Sequence, residues 1–266
     1  MTAPRVLLEA GGRRYALGPG REIAIPLDFH GLQARAFGLP RATSEAFETD
    51  GFVGDTRRGG AANCETLTIT PHGNGTHTES IGHITERRIP VADCVAAPLL
   101  AATLITVRLR PLSESSDTYA GTADPDDLVI TAAAIEQALA RVHVPEGFHD
   151  ALVLRIPSDD GLYAGPAQDH TGHNPPYLTD QAARALRDLS CDHLLLELPS
   201  VDRESDGGGL TSHHTFFGDQ ERRTITEMVS VPRDLPDGPY ALSLRFARLL
   251  TDAAPSRPIL YPLEVV

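Results

Sequence analysis

The 266-residue sequence contains no lysine and no tryptophan, so all 23 of its basic side chains are arginines. Without lysine, the chain cannot form a Schiff base with a carbonyl substrate or with pyridoxal phosphate. It also lacks the phosphate-binding lysine that a Walker A loop requires. Histidine, in contrast, occurs 11 times. The composition therefore favours chemistry that uses imidazole groups or bound metal ions.

Cysteine and long apolar runs are also scarce. The three cysteines lie far apart and form no C-x-x-C pair, so neither a disulfide framework nor a zinc knuckle is expected. The N-terminal segment lacks the layout of a signal peptide. The longest apolar run, Val95 to Val107, is too short to cross a bilayer. These absences predict a cytoplasmic protein that does not enter a membrane.

Acidic residues outnumber basic ones, with 36 against 23, which gives a formal net charge of −13. A field of this sign repels the phosphates of nucleic acids and the headgroups of anionic lipids. We therefore expect a small-molecule substrate as the partner and expect no nucleic acid or membrane partner.

Short apolar or alternating runs predict strands, and two segments predict helices. The helices are expected at Thr131 to Val142 and at Thr179 to Leu189, where a threonine can cap the first turn. The strands are expected at 22–27, 65–70, 104–109, 151–156, 193–198, 224–231 and 240–246. No long polar linker interrupts this mixture, so the pattern predicts one α/β domain.

Three histidines and one carboxylate occur within a short glycine-rich stretch that ends at His83. In an extended chain, His77, Glu79 and His83 would point to the same side. His72 has the opposite parity, but Gly73 to Gly75 can form a bulge or turn that brings its imidazole round. For any single histidine, simple exposure to water is the plainer interpretation. For the whole set, we predict a site for Zn²⁺, with Mn²⁺ or Fe²⁺ as alternatives.

A second carboxylate interrupts an apolar strand face. Within Thr224 to Val231, Glu227 shares one face with Ile225 and Val229. A carboxylate turned toward a core is costly unless it is paired or binds a metal. Either a salt bridge to one of the arginines or a metal site explains Glu227 equally well.

Two further histidines, His213 and His214, follow the glycine run Gly207 to Gly209. Either of them could donate a ligand to the same site. Because neighbouring residues of an extended segment face opposite sides, both cannot do so.

The block from Pro71 to His83, P-H-G-N-G-T-H-T-E-S-I-G-H, resembles the H-x-G-T-H-x-D-x-P-x-H signature of the metal-dependent cyclase family. This family includes bacterial kynurenine formamidases and isatin hydrolases. The later segments Pro199 to Asp202, His213 and Thr224 to Glu227 resemble the S-V-D…H…E ending of the family. The resemblance implies one α/β domain over residues 1–266, with a mixed, partly barrel-like β-sheet core flanked by helices.

The resemblance also implies a set of metal ligands and an acid/base histidine. The implied ligands are His72, His77, Glu79, His213 and Glu227. Glu79 and Glu227 would bridge two ions, and His83 matches the acid/base histidine, which is not a ligand. The implied cofactor is a divalent metal, with Zn²⁺ first and Mn²⁺ or Fe²⁺ as alternatives.

The chain departs from the family pattern at several points. One extra residue separates His72 from His77, and Glu79 stands where the family has aspartate. These changes place the chain in a divergent branch and leave open whether one ion or two are held. The kynurenine formamidases use a tryptophan to stack on their aromatic substrate, and this chain has none.

The function implied by the resemblance is metal-dependent hydrolysis. A metal-bound water would attack an amide or lactam C–N bond, as in an arylformamidase, or an ester bond. His83 would transfer the proton. A cyclase or lyase that uses the same metal site is an alternative, as is a non-catalytic protein that binds a metal or ligand. The resemblance also suggests a homodimer or homotetramer.

Overall fold

The computed structural model describes residues 6–157 and 167–266. In it, both predicted helices begin directly after a threonine that caps the first turn. Helix α1 spans Ala132–Leu139 and follows Thr131, whose side chain accepts a hydrogen bond from the third residue of the helix. Helix α2 spans Asp180–Asp188 and begins in the same way after Thr179. Both predicted helices are confirmed, although α1 ends before Val142.

A third helix, α3, spans Thr211–Phe217, where the sequence pattern predicted an extended segment. The segment has no capping side chain, and the residue before it, Leu210, has a φ of 45°. A helix of this length with no cap gives little sequence signal. The extended conformation expected around His213 and His214 was therefore wrong.

Eighteen strands occur among the described residues, and most of them join one large mixed sheet. In chain order they are β1 (Leu7–Ala10), β2 (Arg13–Leu17), β3 (Arg21–Glu22), β4 (Thr43–Ala46), β5 (Glu48–Thr49), β6 (Phe52–Val53), β7 (Glu65–Thr68), β8 (His77–Ser80), β9 (Leu100–Thr106), β10 (Arg110–Pro111), β11 (Leu128–Ile130), β12 (Ala151–Arg155), β13 (Tyr177–Leu178), β14 (His193–Leu196), β15 (Thr224–Glu227), β16 (Gly238–Ser243), β17 (Ala253–Pro255) and β18 (Ile259–Val265). The order in the large sheet is β1-β2-β18-β16-β9-β12-β14-β15-β8-β17, with β3 beside β18.

The centre of the large sheet is parallel and its flanks are antiparallel. Strands β9, β12, β14 and β15 run in the same direction. Strand β16 joins β9 in the antiparallel sense, and β8 joins β15 in the same way. The mixed α/β sheet that the sequence predicted is therefore confirmed.

A short segment after β3 closes part of this sheet into a barrel. Strand β3 pairs with β18, and the next residue, Ile23, accepts a hydrogen bond from Ser230 N at 2.8 Å. Ala24 then forms a bridge with Val229, just beyond β15. The segment therefore joins β18 to the end of β15 and completes the ring, as the prediction of a partly barrel-like core requires.

Alternate residues of the central strands face two separate cores. Leu104, Val153 and Leu195 face the barrel interior, whereas their neighbours Leu154 and Leu196 face the helices. The three helices contribute Ile135, Ala138, Ala182, Leu186, Phe216 and Phe217 to this outer layer. The alternation explains why the predicted strands were apolar at nearly every position, since both faces of a parallel sheet are covered.

Two predicted strands differ from expectation. The run at 65–70 forms β7, which pairs with β4 in a separate two-stranded sheet and is exposed at every position. The run at 22–27 contributes to a strand only at its first residue and then reaches the barrel through single contacts. None of the helices in the described residues is long and apolar enough to cross a membrane.

We expect His193, at the start of β14, to make the fold sensitive to acid. Its side chain is buried, with a relative exposure of 5%, and burial lowers the pKa of the imidazole to about 4. The unfolded chain, with a histidine pKa of about 6.5, binds the proton more readily. The contribution of neutral His193 to the unfolding free energy is therefore fully present above about pH 6.5. About 3 kcal/mol of that free energy should be lost as the pH falls to 4. Denaturant unfolding of the wild type and His193→Asn at a series of pH values measures this loss.

The His193→Asn variant should show a shallower fall of the unfolding free energy between these two pH values. His143→Asn is the matched control, because His143 is exposed. Its curve should follow that of the wild type. Equal slopes for wild type and His193→Asn would contradict the assignment.

Candidate metal centre

The pairing of β8 with β15 places two carboxylates and one imidazole on the same face of the sheet. His77 lies opposite Glu227, and Glu79 lies opposite Ile225 in this antiparallel pair. Partners in an antiparallel pair share a face, and so do residues two apart. Because Ile225 belongs to the helix-facing core, the group lies between the sheet and the helices. His77 Nε2 is 3.3 Å from Glu227 Oε2.

The ion-pair partners of the buried Glu227 carboxylate are histidines, not arginines, in the part of the chain that the structure describes. Among the residues that the structure describes, its ion-pair contacts are with His77 and His213, and the salt bridge to an arginine that the sequence left open does not occur. One of its carboxylate oxygens also accepts a hydrogen bond from Val201 N at 3.1 Å. The carboxylate that interrupts the apolar face is therefore part of the cluster.

A glycine-containing turn brings His72 to the same point. Pro71–Gly73 forms a turn of 3-10 helix, and Gly75 follows with a φ of 79°, a conformation that favours glycine. His72 Nδ1 lies 3.0 Å from Glu79 Oε2 as a result. The structure therefore brings His72 round through the turn that the sequence offered.

His83 reaches the cluster by a route that the sequence did not predict. Strand β8 ends at Ser80, and Ile81–His83 forms another turn of 3-10 helix. His83 therefore does not share an extended strand with His77 and Glu79, and the parity argument for it was wrong. The turn nevertheless stacks its ring on that of His72, with the ring centroids 4.1 Å apart. Its Nε2 atom is 4.0 Å from Glu79 Oε2.

Helix α3 supplies His213 from the other side of the group. His213 Nε2 is 2.9 Å from Glu79 Oε1 and 3.8 Å from Glu227 Oε1. The next residue, His214, is exposed. Of the two neighbouring histidines that the sequence could not separate, the structure places His213 in the cluster.

Three histidines of the cluster, His72, His77 and His213, each have the outer ring nitrogen in contact with an oxygen. The outer nitrogen of His77 contacts Gly75 O at 3.0 Å, that of His213 contacts Asp202 at 2.6 Å, and that of His72 contacts Asp252 at 2.9 Å. An acceptor at one ring nitrogen places the proton there and leaves the other nitrogen with a free lone pair.

The inner atoms of the cluster are buried and lack hydrogen-bond partners. They are His72 Nδ1, His77 Nε2, His213 Nε2 and both carboxylate oxygens of Glu79. These atoms lie close together, but their angles do not suit hydrogen bonds to one another. Buried polar atoms normally have hydrogen-bond partners. A group of unpaired nitrogen and oxygen atoms that face a common space therefore fits the ligands of a bound cation. The donor set of imidazole nitrogen and carboxylate oxygen suits Zn²⁺, Mn²⁺ or Fe²⁺.

In the absence of an ion, the carboxylates of the cluster favour a second proton on His72 and His213. Burial disfavours the charged form of Glu79, but the charge of His213 holds the pKa of this carboxyl well below its usual value. Burial also opposes protonation of His213, yet Glu79 and Asp202 raise its pKa well above the ordinary value. His72 behaves similarly, with a pKa raised to about 9. A divalent cation would take the place of these protons.

Two carboxylates that contact the histidines of the cluster were not assigned a role from the sequence. Asp202 lies in the S-V-D segment and accepts hydrogen bonds from the backbone of Ser212 and His213 and from Tyr119. It thereby holds the start of α3 as well as the imidazole. Asp252 lies far along the chain from His72, and no local pattern marks it.

A cavity of about 440 Å³ opens next to the cluster. Its lining includes His72, Glu79 and His83, with the apolar side chains of Phe37 and Leu39. Glu227, the last residue of β15, also lines it, so the cavity lies at the carboxyl end of the parallel strands. Ligands of α/β barrels and of open parallel sheets alike bind at this end.

The sheet, the helices and the cluster define an α/β protein with a candidate metal centre. The family model described as "Putative cyclase" matches residues 22–203, and the chain belongs to this Cyclase family. The family resemblance predicted from the two motifs is therefore confirmed. His213, Glu227 and Asp252 lie beyond the matched residues.

Solved structures share the fold at low sequence identity. Isatin hydrolase A from Labrenzia aggregata has a TM-score of 0.62 and 15% identity, and the match covers 92% of this chain and 94% of that one. A predicted metal-dependent hydrolase from Bacillus stearothermophilus has a TM-score of 0.57 and 17% identity, over 91% of this chain and 98% of that one. None of the curated proteins compared with this sequence matches it.

We expect Glu79→Gln to abolish metal binding. Glu79 is fully buried and contacts both His72 and His213, so its charge is central to the cluster. Zn²⁺ at 100 times its Kd should stabilise the wild type by about 2.7 kcal/mol, because the ion binds only the folded chain. The same concentration should leave the unfolding free energy of Glu79→Gln unchanged. Metal analysis and chemical denaturation with and without Zn²⁺ measure both effects.

Glu204→Gln is the control for this experiment. Glu204 lines the same cavity, but its oxygens accept hydrogen bonds from the backbone of Gly172 and Asn174. This variant should retain the metal. Equal stabilisation of wild type and Glu79→Gln by Zn²⁺ would show that the cluster is not the metal centre.

Proposed function

We propose that the protein is a metal-dependent hydrolase that opens an amide or lactam C–N bond, or an ester bond, of a small molecule. The observation that carries this proposal is the convergence of unpaired, buried imidazole and carboxylate atoms beside a cavity that also contains His83. The shared fold with isatin hydrolases and with a predicted metal-dependent hydrolase supports it. Isatin is a cyclic amide, so those neighbours favour C–N hydrolysis.

The residues that would hold the ion are His72, His77, Glu79, His213 and Glu227. When bound, a divalent ion supplies a Lewis acid that polarises a carbonyl oxygen and makes water more acidic. The two carboxylates lie between the histidines, with Glu79 in contact with His72 and His213 and Glu227 in contact with His77. This arrangement can accommodate one ion or two.

His83 is suited to transfer the proton. It is partly buried, with a side-chain exposure of 27%, and its Nε2 atom faces the cluster at 4.0 Å from Glu79. Burial lowers the pKa of His83, so the imidazole is neutral at pH 7 and can accept a proton. It would take a proton from the attacking water and then donate it to the leaving nitrogen or oxygen.

We expect His83→Asn to lower kcat by about 100-fold or more, which is the usual contribution of a general acid or base. Metal content should remain that of the wild type, because His83 is not among the five ligands. Steady-state hydrolysis and metal analysis of the same preparation measure the two quantities. Unchanged hydrolysis with the metal still bound would remove His83 from the mechanism.

The cavity favours an uncharged substrate. Among the residues that the structure describes, Arg203 is the one arginine on its wall. The guanidinium of Arg203 already forms hydrogen bonds within the protein. It donates to Asp127 at 2.7 Å, to Asp124 at 2.7 Å and to Ser205 O at 3.1 Å. Glu204 also lines the wall and adds negative charge. Among the described residues of the wall, a substrate carboxylate would therefore meet repulsion and no free arginine.

A matched pair of formanilides tests this preference. We expect the neutral 4-formamidobenzamide to be hydrolysed with a kcat/KM about tenfold or more above that of 4-formamidobenzoate, which corresponds to a repulsion of about 1.4 kcal/mol. The two compounds have the same scissile bond and nearly the same size. The gap should shrink at high salt, which screens exposed charges. A preference for the carboxylate would contradict the assignment.

A ring-closing or dehydrating activity is the second candidate, because the family is described as a cyclase family. The same groups would then act in the reverse direction, with His83 giving its proton to the departing oxygen. Product analysis with a hydroxy acid and its lactone, approached from both sides, distinguishes the two directions. Conversion only toward the opened product supports the hydrolase.

A further inference from the structure

Asp252 is held at a fixed place beside the metal cluster by backbone pairing. It immediately precedes β17, which pairs with β8 so that Ala253 lies opposite Glu79. The carbonyl of Asp252 accepts a hydrogen bond from Ser80 N at 2.9 Å. The backbone of Asp252 is therefore fixed beside β8, the strand that supplies Glu79 to the cluster.

The carboxylate contacts two imidazoles at once. Asp252 Oδ2 lies 2.9 Å from His72 Nε2, within hydrogen-bond distance, and 3.7 Å from His83 Nδ1. The second distance is too long for a hydrogen bond but short enough for the carboxylate to attract a hydrogen on Nδ1. The two rings stack with an interplanar angle of 27°. One oxygen therefore faces the outer nitrogens of both rings.

This group of three could also suggest a separate metal site, since the ligand atoms of His72, His83 and Asp252 lie close together. The stacking argues against that interpretation. Rings that are nearly parallel direct their nitrogen lone pairs side by side, whereas metal ligands converge on one point. An orienting role for the carboxylate fits the arrangement better.

We propose that Asp252 is a positioning residue that orients His72 as a metal ligand and His83 as the proton carrier. By accepting the hydrogen of His72 Nε2, it leaves Nδ1 with the free lone pair that faces Glu79. By facing His83 Nδ1, it directs Nε2 of that ring into the site. This inference rests on the proposed metal-dependent hydrolysis.

The comparison with His213 supports this assignment. Asp202 holds the outer nitrogen of His213, while the inner nitrogen faces Glu79. Asp252 holds the outer nitrogen of His72 in the same way. The difference is that Asp252 also faces a second imidazole that is not a ligand, and it thereby couples the metal centre to proton transfer.

Zinc binding by Asp252→Ala provides the first test. Loss of an orienting carboxylate on a metal-bound histidine typically weakens metal affinity by about 10- to 100-fold, and we expect this range. Asp252→Asn keeps a neutral acceptor, so its loss should be smaller, about several-fold. Asp93→Ala is the matched control, because Asp93 is a nearby exposed carboxylate that pairs with Arg248. Isothermal titration of the metal-free proteins with Zn²⁺ gives the affinities.

The kinetics of 4-formamidobenzamide hydrolysis at saturating Zn²⁺ provide the second test. If Asp252 only retained the metal, an excess of Zn²⁺ would restore the activity of Asp252→Ala. If it also orients His83, kcat should stay about tenfold below the wild type while KM remains within about twofold. Thermal unfolding of the metal-free variants checks that they are folded. If Asp252→Ala does not fold, the smaller losses in Asp252→Asn decide the question.

The outcomes separate this inference from the proposed function. A wild type that binds Zn²⁺ and hydrolyses the substrate, together with an Asp252→Ala variant of equal affinity and kcat, would overturn the role of Asp252 alone. A wild type that neither binds metal nor hydrolyses any of the compounds would overturn both. Weaker zinc binding with full recovery of kcat at saturating Zn²⁺ would contradict the part of the proposal that concerns His83.

Discussion

The rest of the site depends on one constraint, the burial of the Glu79 carboxylate with no hydrogen-bond donor on either oxygen. An uncompensated carboxylate in a protein interior is strongly destabilising. Positive charge must therefore surround it, and the structure provides this through His72 and His213 at 3.0 and 2.9 Å. Protons on these imidazoles or a divalent cation can satisfy the same requirement. The same contacts could therefore hold a cation in exchange for these protons.

The fold meets this constraint by bringing together three kinds of local structure. The strand β8 supplies Glu79 and His77, a glycine-containing turn supplies His72, and helix α3 supplies His213. The partial closure of the barrel fixes the strands, and the helix-facing layer holds α3 against them. Each imidazole is then oriented by an oxygen on its far side. Rigid elements and oriented rings are the kind of preorganisation that a metal centre needs.

How much of this could be predicted depended on how local each signal was. His77, Glu79 and Glu227 could be placed from strand parity, since side chains two apart share a face. The role of His213 could not be separated from that of His214, because α3 is short and lacks a cap. His83 was grouped correctly for the wrong reason, as it lies on a 3-10 turn. Asp252 contacts His72 across 180 residues, and no pattern of one sequence encodes such a contact.

The two departures from the family signature are linked in space. The extra residue before His77 lies in the turn that contains Gly75, whose φ of 79° is strained for other residues. Gly73, in the same turn, leaves no room for a side chain, because a Cβ there would come within 2.5 Å of Leu39 on the cavity wall. The turn therefore sets both the place of His72 and the shape of the cavity. The side chain of Glu79, longer than the aspartate of the signature, contacts this histidine at 3.0 Å and His213 at 2.9 Å. The spacing of the motif and the length of its carboxylate therefore both bear on the same contact, the one between His72 and Glu79.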